Sequence, residues 1–331
     1  MKFKKTINAV HSLVDNHIIP GATYAIIDHD QVHSEVIGNK ELVPRKIKLH
    51  SNQIYDLASL TKVVGTTNVI LQLIQQQKLK TGDSISKYLP EWKYPKVLVR
   101  HLLTHTSDIE GYIPNRNQLP AKKLLKAILG LHVGPYFDRK VIYSDYNFIL
   151  LGLIAKRIMK KPIQQLIKEM VFEPLKMNDS SFNPTDKKRC VPTQYTSHGL
   201  VQGTVDDPKA QILGADCGSA GMFSTLHDLA KFVHSIAHPN ANPILTKKTI
   251  DELFIDHTST GNLGRSWGWR VIKNQNENYI WQGGYTGTFI IIDRQHDRSM
   301  IFLSNRIHPK APNEKYIPLR DQIVRIFANE K

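Results

Sequence analysis

Cysteine is nearly absent: Cys190 and Cys217 are the only two in 331 residues. Two thiols build no disulfide framework, and they lack the C-x-x-C spacing of zinc and redox sites, so two free thiols and no metal are expected. Long apolar runs are missing as well, and nothing in the sequence has the length needed to cross a bilayer. The chain opens with basic residues, yet His11, Asp15, Asn16 and His17 interrupt any signal-peptide core, which makes a soluble protein, cytoplasmic by default, the expectation. There is no internal repeat and no low-complexity tract. A P-loop, a dinucleotide fingerprint and an H-E-x-x-H pair are all lacking, which removes the commonest nucleotide and zinc readings; no cofactor is expected.

Acidic residues are in deficit. Lysine and arginine number 44 against 29 aspartates and glutamates, a formal charge of +15, so anions are attracted over a long range. The basic residues fall in short clusters such as "KFKK" and "DKKR" without interleaved aromatics or a nucleic-acid module, and no nucleic-acid partner is expected. With 41% hydrophobic and 22% charged residues, the chain has the composition of a globular protein with a sizeable core.

Patterning divides the chain into strand-rich ends and a helical middle. Ile7, Val10, Val14 and Ile18 fall at helical spacing and predict an amphipathic first helix. "GATYAIIDHDQVHSEVIG" reads as two strands around a polar "DHDQ" turn. Towards the other end "WGWRVIK", "NYIWQGG", "TFIIIDR" and "SMIFLSN" read as a meander with turns such as "NQNE" and "QHDR". Ile317, Leu319, Ile323, Ile326 and Phe327 then predict a closing helix that covers the sheet. Between these ends, "AKKLLKAILGLHV", "DYNFILLGLIAKRIMK" and "IQQLIKEMVF" carry helical patterns, and "NPTDKKRCVPTQ" reads as loop. The expectation is one domain over residues 1–331: an α/β part from 1–81 and 216–331, its sheet built from both termini, with a mostly helical insertion at 82–215.

The chemistry centres on "LASLTKVVG". Ser59 and Lys62 stand three apart, and residues at that spacing share a helix face. Apolar residues from Val63 to Ile74 predict a buried helix with Ser59 at its start, where free amides and the positive dipole end favour a developing anion. Desolvation and that same dipole would push the Lys62 pKa down towards a usable base for the serine. Alone, Ser-x-x-Lys is equally a helix cap followed by a surface lysine.

Further stretches decide between these. "IYDLASLTKVVG", "RHLLTHTS", "YSDYNFILLG", "GSAGMFSTLHDLAKF" and "GGYTGTF", in this order, resemble the serine hydrolases of the class C β-lactamase and penicillin-binding-protein type, with their related esterases and D-amino-acid peptidases. The resemblance implies an α+β fold of the β-lactamase/transpeptidase kind, an antiparallel sheet flanked by helices, and an acyl-enzyme on Ser59. It implies Lys62 as base or proton relay, Tyr143 as second proton shuttle, and Tyr285, Thr286, Gly287 and Thr288 in the Lys-Thr-Gly strand. The backbone amides of Ser59 and Thr288 would form the oxyanion hole, and Gly287 would let a substrate backbone approach an edge strand.

Two positions depart from the pattern. Asp145 replaces the usual asparagine, loses its amide donor, and through a salt bridge would hold Lys62 protonated. Tyr285 replaces the usual lysine or histidine, removing a cation for a substrate carboxylate and favouring esters or uncharged amides over a typical β-lactam, although a nearby arginine could restore carboxylate binding; an esterase or a D-amino-acid/cell-wall peptidase is expected over an efficient β-lactamase. The resemblance makes a small molecule or peptide the substrate and admits anionic cell-wall polymers as partners. The alternative is a binding protein of the same fold that holds β-lactams or cell-wall fragments with little turnover. A rival G-x-S-x-G at Gly264–Gly268 is preceded by polar loop and followed by strand, the reverse of a nucleophile elbow. His101 and His105 read as hydrogen-bonded structural residues.

Overall fold

The two ends of the chain are woven into one sheet. The computed structural model describes residues 2–274, 277–310 and 312–330. The main strands are β1 (Gly21–Asp28), β2 (Gln31–Glu41) and β3 (Ile47–Lys48) from the N-terminal side. After the short strands β4 (Tyr55–Asp56) and β5 (Phe223–Ser224) come β6 (Arg270–Asn274), β7 (Glu277–Gly283), β8 (Phe289–Asp293) and β9 (Arg298–Ser304). The seven-stranded order is β6-β7-β8-β9-β1-β2-β3, antiparallel throughout. First and last strands meet in register from Ala22 opposite Ser304 to Asp28 opposite Arg298. Of the expected meander turns, "NQNE" falls partly outside the described residues.

Alternation along the strands feeds two cores. Ile290, Ile292, Ile301 and Leu303 face the helical body, while Phe289, Ile291, Met300 and Phe302 face the terminal helices α1 (Lys4–Asp15) and α5 (Tyr316–Asn329). Every residue of β8 is therefore buried, which explains the continuous "FIIID". The closing helix is rotated slightly from expectation: Ile317 is exposed, and Val324 joins Ile323 and Phe327 inside. The first helix ends at Asp15, so Ile18 is buried beyond it, and Leu13 takes the inward place expected of Val14. The Glu330 carboxylate accepts the backbone N–H groups of Lys5 and Thr6 at 2.7 and 2.8 Å, a partner for free amides at the start of α1.

On the opposite face α4 (Leu226–Ala237) lays Leu229, Phe232, Val233 and Ile236 into the larger core. Two further helices position the site. A π-helical turn, Lys62–Thr66, runs into α2 (Thr67–Gln75), and α3 (Asp145–Met159) buries nearly all its length between them and the rest of the body. The middle of the chain is not helical throughout: Ile109–Glu110 pairs with His132–Val133, and Gln194–Thr196 with Gly199–Val201. The expected loop around Lys187 holds a single 3-10 turn, Lys187–Arg189. Among the described residues no helix is long and apolar enough to cross a membrane.

Candidate active site

The turn that carries Ser59 is held from both sides. β4 pairs with β5, Tyr55 opposite Ser224 and Asp56 opposite Phe223, and the Leu57 N–H continues the ladder to the Met222 carbonyl at 2.9 Å. The chain then reverses at Ala58, whose φ of 45° is unusual for a residue with a side chain and marks stored strain. Asp56 holds that turn: one carboxylate oxygen accepts the Ala58 N–H and the other the Asp206 N–H, each at 2.8 Å. Burial pushes the Asp56 pKa up to about 7 against the pull of those two bonds. Ser59 thus opens the first turn, its carbonyl accepting the Lys62 N–H at 3.1 Å.

Lys62 follows one turn later with its side chain only 1% exposed. Its amine lies 2.8 Å from Ser59 Oγ, 2.9 Å from the Ser219 carbonyl and 2.8 Å from Asp145 Oδ1. An ammonium has three N–H donors, and three acceptors are present. Burial works against the charge, but Asp145 and Tyr143 more than offset it and hold the Lys62 pKa above the ordinary lysine value. Of the two opposed expectations from sequence, the lowered pKa is therefore corrected, and the salt bridge to Asp145 is what the fold forms. Burial alone would push the Asp145 carboxyl up; Lys62 and Lys209 together pull it well below the usual range. Lys209 Nζ stands 3.1 Å from the second Asp145 oxygen and 2.9 Å from Asp207, so the charges form a chain of alternating sign. Sequence reading missed Lys209, which no local spacing connects to Ser59.

Ser144 explains the placement of its neighbours. Its extended backbone and its side-chain bond from the Tyr146 N–H at 3.3 Å cap α3, leaving Tyr143 outside the helix and Asp145 in its first turn. The Tyr143 ring is 40% exposed. It packs 4.4 Å from the His105 ring, with Lys62 Nζ at 5.1 Å and the Arg265 guanidinium at 5.5 Å from its centre. His105 Nδ1 accepts from Ser144 N–H at 3.3 Å and lies 3.0 Å from the Asn147 amide nitrogen. Burial, then Arg265 and Lys62, push its pKa well down, so it is a neutral positioning residue. His101 Nδ1 likewise accepts the Leu98 N–H at 2.9 Å.

The glycine-rich strand end is where the structure departs most from the sequence reading. Gln282, not Tyr285, reaches Tyr143: its amide nitrogen is 3.5 Å from the phenol oxygen, and its carbonyl oxygen faces Arg265 Nη1 at 3.4 Å. Tyr285 lies three residues on, in the turn between β7 and β8, 53% exposed with Arg306 against its ring. Among the described residues no contact joins it to Ser59, Lys62 or Tyr143. A nearby arginine is present: Arg265, buried and without a carboxylate partner among the described residues, stands beside Gln282. Thr286 and Thr288 brace the nucleophile strand instead, donating their hydroxyls to the carbonyls of Asp56 at 2.7 Å and Leu57 at 3.2 Å. Gly287 is required for a φ of 107° and for packing, since a Cβ there would meet Ser304 Oγ at 2.3 Å; no open edge calls for it.

The open edge is one step earlier. Pairing of β6 with β7 ends at Arg270 opposite Trp281, so Gln282 and Gly283 have no strand partner on that side. Gly284 follows, and a Cβ there would meet the Leu57 carbonyl at 2.4 Å. The backbone N–H groups of Ser59, Tyr285 and Thr288 have no acceptor among the described residues. Ser266 of the rival motif is fully buried and donates to the Glu252 carbonyl at 3.0 Å, and strand follows it, so no nucleophile elbow forms. Among the described residues no cluster of three metal-ligating side chains occurs.

Comparison with known proteins identifies the family and the fold. A family model described as Beta-lactamase matches residues 7–325. An N-acetylmuramyl-L-alanine amidase of Bacillus subtilis (strain 168) is 24% identical, the match covering 92% of this chain and 82% of the relative. A putative D-alanyl-D-alanine carboxypeptidase of Salmonella typhi is 25% identical over 92% of this chain and 79% of its own. Among solved structures, a class C beta-lactamase superposes with a TM-score of 0.79 at 17% identity, covering 99% of this chain and 96% of the other. EstCE1, a hydrolase with promiscuous acyltransferase activity, gives 0.74 at 19% identity over 97% of both chains. At these identities the two structures bear on the fold.

Proposed function

The chain belongs to the beta-lactamase family and is a serine hydrolase of it, and we propose that it works through an acyl-enzyme on Ser59 with Lys62 held as an ammonium. The observation that carries this reading is the threefold coordination of the Lys62 amine, with Ser59 Oγ at 2.8 Å as one acceptor. An ammonium with every proton engaged is not the group that removes a proton from serine. It orients the hydroxyl and offsets negative charge nearby.

Tyr143 then relays the serine proton. Lys62 and Arg265 lie against its ring and the Gln282 amide faces its oxygen, so charge developing on the phenol meets cations and a donor. As Ser59 Oγ bonds to the carbonyl carbon, its proton passes to the Tyr143 oxygen while the phenol gives its own proton to the leaving oxygen or nitrogen, whose bond to that carbon breaks. Water releases the acyl group by the reverse path. The oxyanion is received by the Ser59 N–H and a second N–H from the turn after β7. Tyr285 supplies that second donor rather than Thr288, whose residue is wholly buried.

The substrate is an ester or amide bearing a carboxylate, of the D-alanyl peptide kind named in the carboxypeptidase relatives. The unpaired strand edge at Gln282 and Gly283 receives its backbone, and Arg265 supplies the cation for its carboxylate. The basic surface suits an anionic cell-wall polymer as its setting. Ser59→Ala is expected to abolish fluorophosphonate labelling and to lower ester hydrolysis by a factor on the order of a thousand or more. Labelling retained on another serine refutes the assignment. Matched thioesters with and without a carboxylate test the substrate class: equal kcat/KM for both removes Arg265 from recognition.

A further inference from the structure

A cavity of about 770 Å³ lies at the opposite end of the β1–β2 hairpin from its "DHDQ" turn and shares no lining residue with Ser59, Lys62, Tyr143 or Gln282. Val14, Ile18 and Leu42 give it an apolar wall, and its polar lining is mostly basic, with Lys46, Lys48 and Arg306; Asp15 is its single carboxylate. We propose that this cavity is a second ligand site, which takes a phosphate or carboxylate group carried on a small, partly apolar molecule.

Two groups in the lining lack the partners that burial demands. His308 is 4% exposed, and its Nε2 accepts the Leu42 N–H at 2.9 Å, so the proton of the neutral ring sits on Nδ1. Among the described residues that Nδ1 has no acceptor. Burial keeps the ring neutral, with a pKa pushed down to about 4, which fixes it as a donor over the working pH range. Arg306 is 6% exposed. Its Nε donates to the Tyr285 carbonyl at 2.6 Å and its plane lies against the Tyr285 and Tyr316 rings at 4.9 and 5.0 Å. Among the described residues its two Nη groups meet no carboxylate.

Buried donors are ordinarily satisfied, and a planar guanidinium with its outer edge unpaired matches the two oxygens of a carboxylate or phosphate. Lys46 and Lys48, both exposed on the rim, add attraction, and among the described residues no acid ties them in an ion pair. A surface that only repelled its own charges would have no reason to bury unpaired donors beneath them.

The test uses the intact protein with inorganic phosphate and acetate as probes, titrated by calorimetry at constant ionic strength set with sodium chloride. Saturable binding of at least one probe is expected, and their ratio tells a phosphate from a carboxylate site. The Lys46→Gln/Lys48→Gln variant, which leaves the folded core untouched, is expected to weaken binding by roughly threefold to tenfold while ester hydrolysis stays unchanged. In wild-type protein the bound probe is expected to move the His308 Nδ1 resonance in a nitrogen-15 spectrum, and chloride is expected not to. Saturation by neither probe overturns the proposal. So does binding that is equally strong in the double variant and leaves the His308 signal in place, since that places the anion elsewhere, including in the catalytic cleft.

Discussion

Replacing Asp145 with asparagine separates two roles for Lys62 that predict opposite results. The carboxylate lies 2.8 Å from the Lys62 amine. At that distance unit charges attract by about 6 kcal/mol in an effective dielectric near 20, or about four pKa units at 1.36 kcal/mol each. Asp145 is shared with Lys209 and keeps 27% of its side chain exposed, so that figure is an upper bound, and the Lys62 pKa falls back towards the ordinary lysine range. A lysine whose pKa stands above the ordinary value in the wild type then begins to lose its proton within the alkaline part of the accessible range. If the ammonium is the working form, kcat/KM of the variant for a chromogenic ester falls as pH rises through that range, where the wild type holds steady. If the free amine were the working base, the same substitution would raise kcat/KM near neutrality. A pH profile from about 5 to 10 with both proteins decides between them. The variant also leaves two buried cations with half their compensation, a loss of about 3–5 kcal/mol that lowers the melting temperature by several degrees. An alkaline limb that does not move, or a faster variant at pH 7, refutes the ammonium assignment.

Other substitutions test the strand end and the strained turn. Gln282→Ala is expected to lower kcat/KM by about tenfold through loss of the amide that faces Tyr143, whereas Tyr285→Ala, which keeps the backbone N–H, should change it by less than about threefold; the reverse order would restore Tyr285 to the position sequence assigned it. Asp56, whose pKa is raised to about 7, binds a proton in the folded protein between pH 4 and 7 that the unfolded chain has given up. Its contribution to stability therefore declines as pH rises across that window and stays lost above it. Chemical denaturation of wild type and Asp56→Asn across pH 4 to 8 should show a steeper wild-type decline, and parallel curves would mean that Asp56 does not titrate there.

What could be read from sequence follows the range over which each feature is determined. The Ser59–Lys62 pair is set within one turn of chain, and hydrophobic alternation in "TFIIID" and "SMIFLSN" is set within one strand, so both were visible. Gln282 was not, because Gly283–Gly284 and Thr286–Gly287 offer two overlapping places for one motif. Only the point where β6 ceases to pair with β7 selects between them. The protonation of Lys62 depends on the direction of the Asp145 side chain, and Lys209 arrives through a loop far along the chain. Both are products of packing. Gly287 was visible as a glycine, but the reason for it lies in Ser304, a strand away.

The pairing of the first strand with the last has a consequence for synthesis. While a ribosome is still making this chain, β1 lacks the neighbour that completes it and the turn after β7 has not yet arrived to brace Asp56 and Leu57. Ser59 and Lys62 emerge well before these partners, and they belong to an incomplete cleft until the chain has been made through Ser304. A nascent chain of this design cannot hydrolyse anything on its way out, and a product truncated before Ser304 would be inert as well as poorly folded.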